Sequence, residues 1–298
     1  MKASETLRAP AKLNLTLEVL ARRDDGLHAL RSIMVPVDIC DELRIEASDK
    51  PAFTCDVPEL QSGNLVERAL SAVGAAGYNV HLHKVIPTGA GMGGGSSDAA
   101  AILLAAQRGK FGAVPAVDYL AAARSLGSDV PFFLVETAAL VEGTGERVTA
   151  LGPVPPWHAV VIKPPVAVST AWAYAQIDAA QRETRARNQS VSLRMGEALQ
   201  RSDFDAALAL LQNDFHDVIA PATQEISAAL DALRVAGAAH PIMTGSGSCV
   251  FALARTAAEA TAIADACHGE VSNHPDLAEG TRVFTCAFWN GPAWQTAA

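Results

Sequence analysis

The stretch Pro87-Thr-Gly-Ala-Gly-Met-Gly-Gly-Gly-Ser-Ser-Asp-Ala-Ala100 constrains the chain more than any other. Gly89, Gly91, Gly93, Gly94 and Gly95 lack a Cβ, so the backbone can take positive φ and admit a ligand closely. Before the loop, Val80-His-Leu-His-Lys-Val-Ile86 alternates like a strand. After it come Ser96, Ser97 and Asp98, which favour helix starts, and then Ala99 to Gln107, rich in Ala and Leu. Pro87 opens the loop between strand and helix. A helix N-terminus offers unpaired N–H groups and about half a positive charge. The expected ligand is therefore a phosphate. A flexible Gly/Ser linker is the plain alternative, but a linker does not normally join a clean strand to a strong helix. The loop is not a Walker A sequence, which ends Gly-Lys-Ser/Thr where this one has Gly-Gly-Ser-Ser. Gly89-x-Gly91-x-x-Gly94 meets the dinucleotide fingerprint in spacing alone.

A chain of 298 residues suffices for one large domain or two ordinary ones. With 50% hydrophobic and 18% charged residues it is a folded chain, not a disordered one. A net charge of −9 argues against nucleic acid or an acidic membrane surface as the main partner. The cysteines, at 40, 55, 249, 267 and 286, are odd in number and form no CxxC, which predicts reduced thiols, a cytoplasmic location and no structural zinc. Met1 to Pro10 carries no apolar run, so no secretory signal is expected. No apolar run is long enough to span a bilayer. Without secretion, the sequon Asn188-Gln-Ser is a chance match.

Leu13 to Leu20 alternates almost perfectly and reads as a half-buried strand, followed by a charged turn through Gly26. His28 to Val37 and Leu43 to Ala47 read as separate segments. Helical spacing covers Asn64–Val73, Pro115–Leu126, Thr170–Ala180, Leu193–Gln200, Phe204–Gln212, Thr223–Val235 and Ala257–Cys267. Ala138–Glu142, His158–Lys163 and Thr281–Ala287 read as strands. The Pro-rich stretch Leu151–Pro156 marks the domain junction. Strands and helices mix without regular alternation, so the fold class is α+β in two domains, 1–155 and 156–298.

Four stretches carry the chemistry: Pro10-Ala-Lys-Leu-Asn14, the glycine loop, Leu126-Gly-Ser-Asp-Val-Pro131 and Thr244-Gly-Ser-Gly-Ser248. Two Gly/Ser loops with one lysine and one aspartate in apolar frames suggest phosphoryl transfer, which is mostly positioning and charge stabilisation. In this order, the stretches resemble the GHMP kinase superfamily. Pro87–Ala100 resembles its central ATP loop and Met243–Phe251 its C-terminal glycine motif. The resemblance implies an N-terminal ribosomal-protein-S5-like ATP-binding domain, a C-terminal α/β-plait domain, ATP as phosphate donor and Mg2+ with it. Pro10-Ala-Lys-Leu-Asn-Leu15 and Arg22-Arg-Asp-Asp-Gly-Leu-His28 resemble the branch whose acceptor is a small molecule, a cytidine-diphosphate-linked methylerythritol. A kinase for another small acceptor (homoserine or a mevalonate relative) and a silent nucleotide sensor are the alternatives on this fold.

Residue by residue, Asp129 resembles the general base and Lys12 the lysine paired with it. The plain alternatives are a turn cap and a surface lysine. His28 resembles the histidine that contacts cytosine, Tyr174 an aromatic on the other side of the base, and Asn14 a polar residue of the substrate site. The family commonly has Tyr before that histidine; here it is Leu27. Asn64 and Lys84 resemble positions of the adenosine pocket, although Lys84 also fits the solvent face of its strand. The hydroxyls of Ser96 and Ser97 would meet phosphate or Mg2+, and Gly245 and Gly247 would bring the second loop close to the phosphates. The Mg2+ ligands and the oligomeric state are not legible. His81 and His83 share a strand face, but no third metal ligand is evident. Arg182–Arg187 reads as a solvated basic stretch.

Overall fold

The computed structural model describes residues 4–112, 115–180 and 190–290; the basic stretch Arg182–Arg187 and Asn188 lie outside them. The first half comprises β1 (Glu5–Arg22), β2 (His28–Ala47), β3 (Phe53–Cys55), α1 (Leu65–Ala72), β4 (Tyr78–His83), α2 (Gly94–Gln107), α3 (Tyr119–Leu126), α4 (Val130–Phe133), β5 (Ala138–Gly143) and β6 (Arg147–Gly152). The second comprises β7 (His158–Lys163), α5 (Thr170–Ala179), α6 (Val191–Gln200), α7 (Phe204–Ala209), β8 (Gln212–Asn213), α8 (His216–Ile219), α9 (Gln224–Val235), β9 (Ile242–Met243), β10 (Val250–Ala254), α10 (Ala257–Asn273) and β11 (Arg282–Ala287).

A long antiparallel hairpin of β1 and β2 is the spine of the first sheet. One end of β2 pairs with β4 and the other with β5, so the hairpin serves both flanks of the domain. The two segments expected within β2 are one strand. Asp38 and Asp41 interrupt its apolar pattern without ending it. The Asp38 carboxylate accepts from the Ala287 N–H at 2.8 Å, and Asp41 finds a buried cation. Strand β6 escaped the sequence reading because it is a mostly exposed strand on β5 with weak alternation.

Helix α2 begins at Gly94, earlier than the Ser96–Asp98 start expected from capping preference. Gly93 holds the cap position, and Ser97 and Asp98 turn inward. From Ser97 to Ala106 every residue of α2 is buried, as a helix apolar all round should be. Helix α3 starts at Tyr119 because the Asp118 side chain caps it, accepting from the Ala121 N–H at 3.0 Å.

The second sheet, in the order β11-β7-β10-β9, is antiparallel and apolar on both faces. Val160, Ile162, Val250 and Ala252 face Ile226, Leu230, Ile263 and Cys267 of α9 and α10. Ala159, Val161, Phe251 and Leu253 face Leu13, Leu15 and Val35 of the hairpin, with Met195 and Leu199 of α6. The alternation of strand side chains thus welds the halves together. Two-residue β8 strengthens the weld by pairing with β1 at Thr16 and Leu17. This fixes the distance between the start of β1 and the loop after β9. Among the described residues no helix is long and apolar enough to cross a membrane. All five cysteines are free and buried.

Candidate active site

The glycine loop and the loop Thr244–Ser248 meet over the start of β1. Ala90 accepts from the Cys249 N–H at 3.2 Å, and Met92 accepts from the Lys12 N–H at 3.0 Å. A Cβ on Gly91 would collide with the Thr244 carbonyl oxygen, and one on Gly245 would stand 2.9 Å from the Gly91 carbonyl oxygen. Both residues also have positive φ, +77° and +57°, so only glycine meets both demands. Asn213 supports the second loop from behind, its amide donating to Met243 O and Gly245 O at 2.8 Å each.

Lys12 projects into this junction, 3% exposed, with Nζ 3.8 Å from the Asp129 carboxylate. Its ammonium donates to Asn14 Oδ1. Asn14 is itself held by Ser32 Oγ at 2.8 Å and by Thr244 Oγ1, which accepts from the Asn14 N–H at 3.0 Å. Burial pushes the Lys12 amine down, and the adjacent Asp129 carboxylate opposes that shift. Lys12 is therefore not a surface lysine. Asp129 occupies the N-cap position of α4, yet its side chain makes no capping bond. Its carboxylate is 30% exposed and so remains open to a ligand.

Beside Asp129 opens a cavity of about 540 Å³, walled by Gly127, Ser128, His28, Tyr174 and Asp178 among others. That volume suits a small-molecule ligand. Leu27 stands at its mouth, 56% exposed. The resemblance implies His28 and Tyr174 on opposite sides of a base. Here the two rings stack directly on each other, centroids 5.3 Å apart and 10° from parallel. Asp178, unforeseen in the sequence, accounts for the arrangement: its carboxylate meets His28 Nε2 at 2.8 Å. Tyr174 also packs edge-on against Phe215, and burial, then the Asp129 charge, push its phenol up.

On the other side of the glycine loop, Asn64 caps α1, accepting from Val66 N and Glu67 N. Lys84 is not on the solvent face. Its ammonium is buried between Asp41 and Asp98, with Asp98 at 2.7 Å. A Cβ on Gly94 would stand 3.2 Å from Lys84 Nζ, so the ion cluster lies directly beneath the loop. Asp41 also accepts from Val85 N at 2.6 Å and Ile86 N at 2.8 Å, fixing the entry into the loop. Burial alone would lower the Lys84 amine, but Asp98 and Asp41 together hold it above its ordinary value. Burial, with Asp41 nearby, raises the Asp98 carboxyl well above the usual carboxylate range. The sequence does not single out Asp41, where an acid inside an apolar strand is the available signal, and it marks Asp98 only as a helix starter.

Ser97 is fully buried, its hydroxyl without a partner among the described residues, whereas Ser96 is half-buried near Gly127. His81 and His83 are exposed and pair with Thr54 and Asp56 instead of with a metal-ligand set. Among the described residues, no group of three or more His, Cys, Asp or Glu side chains could hold a metal ion.

Comparison with known proteins agrees with this geometry. Residues 64–137 match the model of the GHMP kinases N terminal domain, and residues 195–273 that of the GHMP kinases C terminal. The 4-diphosphocytidyl-2-C-methyl-D-erythritol kinase of Pseudothermotoga lettingae is 38% identical over 84% of this chain and 91% of that protein. Its namesake in Geobacter sp. (strain M21) is 39% identical over 85% of this chain and 92% of that protein. A crystal structure of a 4-(cytidine 5'-diphospho)-2C-methyl-D-erythritol kinase superposes with a TM-score of 0.78 at 34% identity, covering 96% of this chain and all of that one. A homoserine kinase from Cytophaga hutchinsonii, 20% identical with a TM-score of 0.67, shares the fold. With two glycine loops closed over a buried lysine and an open aspartate, and with relatives alike over nearly their whole length, the chain belongs to the GHMP kinases, in the branch of the 4-diphosphocytidyl-2-C-methyl-D-erythritol kinases.

Proposed function

We propose that this enzyme transfers the γ-phosphoryl group of ATP to the 2-hydroxyl of 4-(cytidine 5'-diphospho)-2-C-methyl-D-erythritol, releasing ADP. The observation that carries the reading is the Lys12–Asp129 pair at the junction of both glycine loops, next to Gly127 and Ser128 of the cavity that His28 and Tyr174 also line. The glycine loop, from Pro87 to Gly95, and the N-terminus of α2 hold the ATP phosphates through backbone N–H groups. Gly245 and Gly247 close the opposite side. Asn64 and Lys84 shape the nucleotide side from beneath the loop.

Asp129 takes the proton of the acceptor hydroxyl as its oxygen attacks the γ-phosphorus and the bond to the β-bridging oxygen breaks. Lys12, 3.8 Å from the Asp129 carboxylate, stabilises the alkoxide character that develops. Asn14 fixes the lysine. The attacked hydroxyl is tertiary and hindered, so orientation matters as much as basicity. The half-buried Ser96 hydroxyl, at the start of α2 and near Gly127, is an oxygen donor that suits a hard cation. Mg2+ carried on ATP would be held beside Ser96, where it would neutralise phosphate charge. We place the domain division at 155/156, between the end of β6 and the start of β7. The unpaired thiols fit a cytoplasmic location.

A coupled ADP-release assay with three acceptors tests the function. Turnover is expected with the cytidyl compound and not with homoserine or mevalonate; ATP binding with no turnover of any acceptor would overturn it. With Leu27 at the cavity mouth, one aromatic surface for the base is missing. Leu27→Tyr is expected to lower KM for the cytidyl acceptor by about two- to tenfold. An unchanged KM in steady-state kinetics would count against that role.

A further inference from the structure

The cavity beside Asp129 holds more hydrogen-bond chemistry than phosphoryl transfer requires. Its wall carries two carboxylates, Glu146 and Asp178. Glu146 is committed: it accepts from the Thr144 N–H and hydroxyl and pairs with Arg23. Asp178 has a single hydrogen bond to a described residue, to His28 Nε2, and its side chain is 46% exposed. It follows Tyr174 by one turn on α5, so both occupy one helix face beside the stacked His28 ring. The centroid separation of 5.3 Å belongs to a direct stack, so the pair offers a base its open side and no slot between the rings. The cationic walls are engaged with backbone carbonyls: Arg22 donates to Gly26 O and Arg124 to Glu146 O. Besides the Tyr174 and Ser128 hydroxyls, a base lying on the platform meets one charged acceptor with an oxygen to spare, the Asp178 carboxylate.

We propose that Asp178 determines base specificity, accepting a hydrogen bond from the exocyclic amine of cytosine and rejecting uracil. This rests on the cytidyl acceptor proposed above. An ionised carboxylate is an acceptor only. It complements the amine donor at position 4 of cytosine and faces the carbonyl oxygen of uracil with unfavourable like polarity. Through its other contact Asp178 also keeps the His28 ring flat on Tyr174.

The test is calorimetric binding of cytidine 5'-diphosphate and uridine 5'-diphosphate, with a non-hydrolysable ATP analogue saturating the donor site. The unaltered enzyme is expected to bind the cytidine compound about tenfold or more tighter. Asp178→Asn, whose amide can donate as well as accept, is expected to bring the two affinities within about threefold, chiefly by weakening the cytidine compound. A variant that keeps the original ratio, or an unaltered enzyme that binds both equally, overturns the proposal. Thermal melting checks that the variant is folded, and Asp178→Glu, retaining the carboxylate, should keep the preference for cytidine. Turnover of the cytidyl acceptor, measured alongside, separates the two claims. Base discrimination lost in Asp178→Asn without turnover by either enzyme supports Asp178 and overturns the kinase reading. Turnover with an unchanged base ratio overturns Asp178 alone.

Discussion

Asp129→Asn is expected to lower kcat by about two to four orders of magnitude, the usual contribution of a general base, while ATP affinity stays within about twofold. The carboxylate stands 3.8 Å from Lys12 Nζ, makes no helix-capping bond and is 30% exposed. The amide has nearly the same shape but cannot take the proton. Little else should move, because in the proposed function the nucleotide is held by the glycine loops and not by this side chain. Single-turnover phosphoryl transfer with saturating ATP, together with binding of an ATP analogue, measures both quantities. A kcat within tenfold of the unaltered enzyme would remove Asp129 as the base.

Lys84→Met is expected to cost about 3–5 kcal/mol of stability at neutral pH, because it leaves Asp41 and Asp98 buried without a cation. Both carboxylates and the ammonium are almost fully excluded from solvent. The cluster also anchors Val85 and Ile86 at the entry to the glycine loop, so ATP binding should weaken as well. The sign with pH follows from proton linkage. In the variant, burial without the cation holds the Asp98 carboxyl above its unfolded pKa. The penalty is therefore full above the folded pKa and shrinks as pH falls toward the unfolded value, near about 3.9. In the unaltered protein the Lys84 amine is held above its ordinary 10.5. Its contribution is present below that value and is lost as pH rises through the folded pKa. Thermal melting from pH 5 to pH 8 reads the difference; equal midpoints at pH 7, or a gap that widens toward acid, would contradict the account.

The parts of the site that a local pattern encodes were legible. The glycine loop, Lys12, Asp129 and the second loop each sit in a short run whose residue types point to a backbone shape or a charge, while family resemblance picks out Asn14 and His28. The structure brings Lys12, Asn14 and Asp129 together with both loops. What escaped depends on contacts distant in sequence. Asp178 meets His28 across 150 residues, and Asn213 reaches the second loop from a strand of two residues. Asp41 looked like a break in a strand because its cation, Lys84, arrives from just beyond the end of β4. Lys84 itself alternated outward in the pattern and yet is buried, since the strand ends at His83 and the chain then turns beneath α2. Capping preference put the start of α2 too late, because the glycine backbone, and not the serines, supplies the first turn. The fold class was readable from the mixture of elements; the weld between the halves was not, because β7 and β10 read as apolar runs without stating what covers either face.

The most direct measurement is the proton-coupled phosphorus NMR spectrum of the product formed from ATP and the cytidyl acceptor. The account places the new phosphate on the tertiary 2-oxygen, whose carbon bears no hydrogen. The new phosphomonoester signal should therefore be a singlet, beside the unchanged diphosphate signals of the acceptor and those of ADP. A doublet or a triplet would place the phosphate on a secondary or primary oxygen, and the absence of any new phosphomonoester would mean that Lys12, Asp129 and the two loops do not perform this transfer.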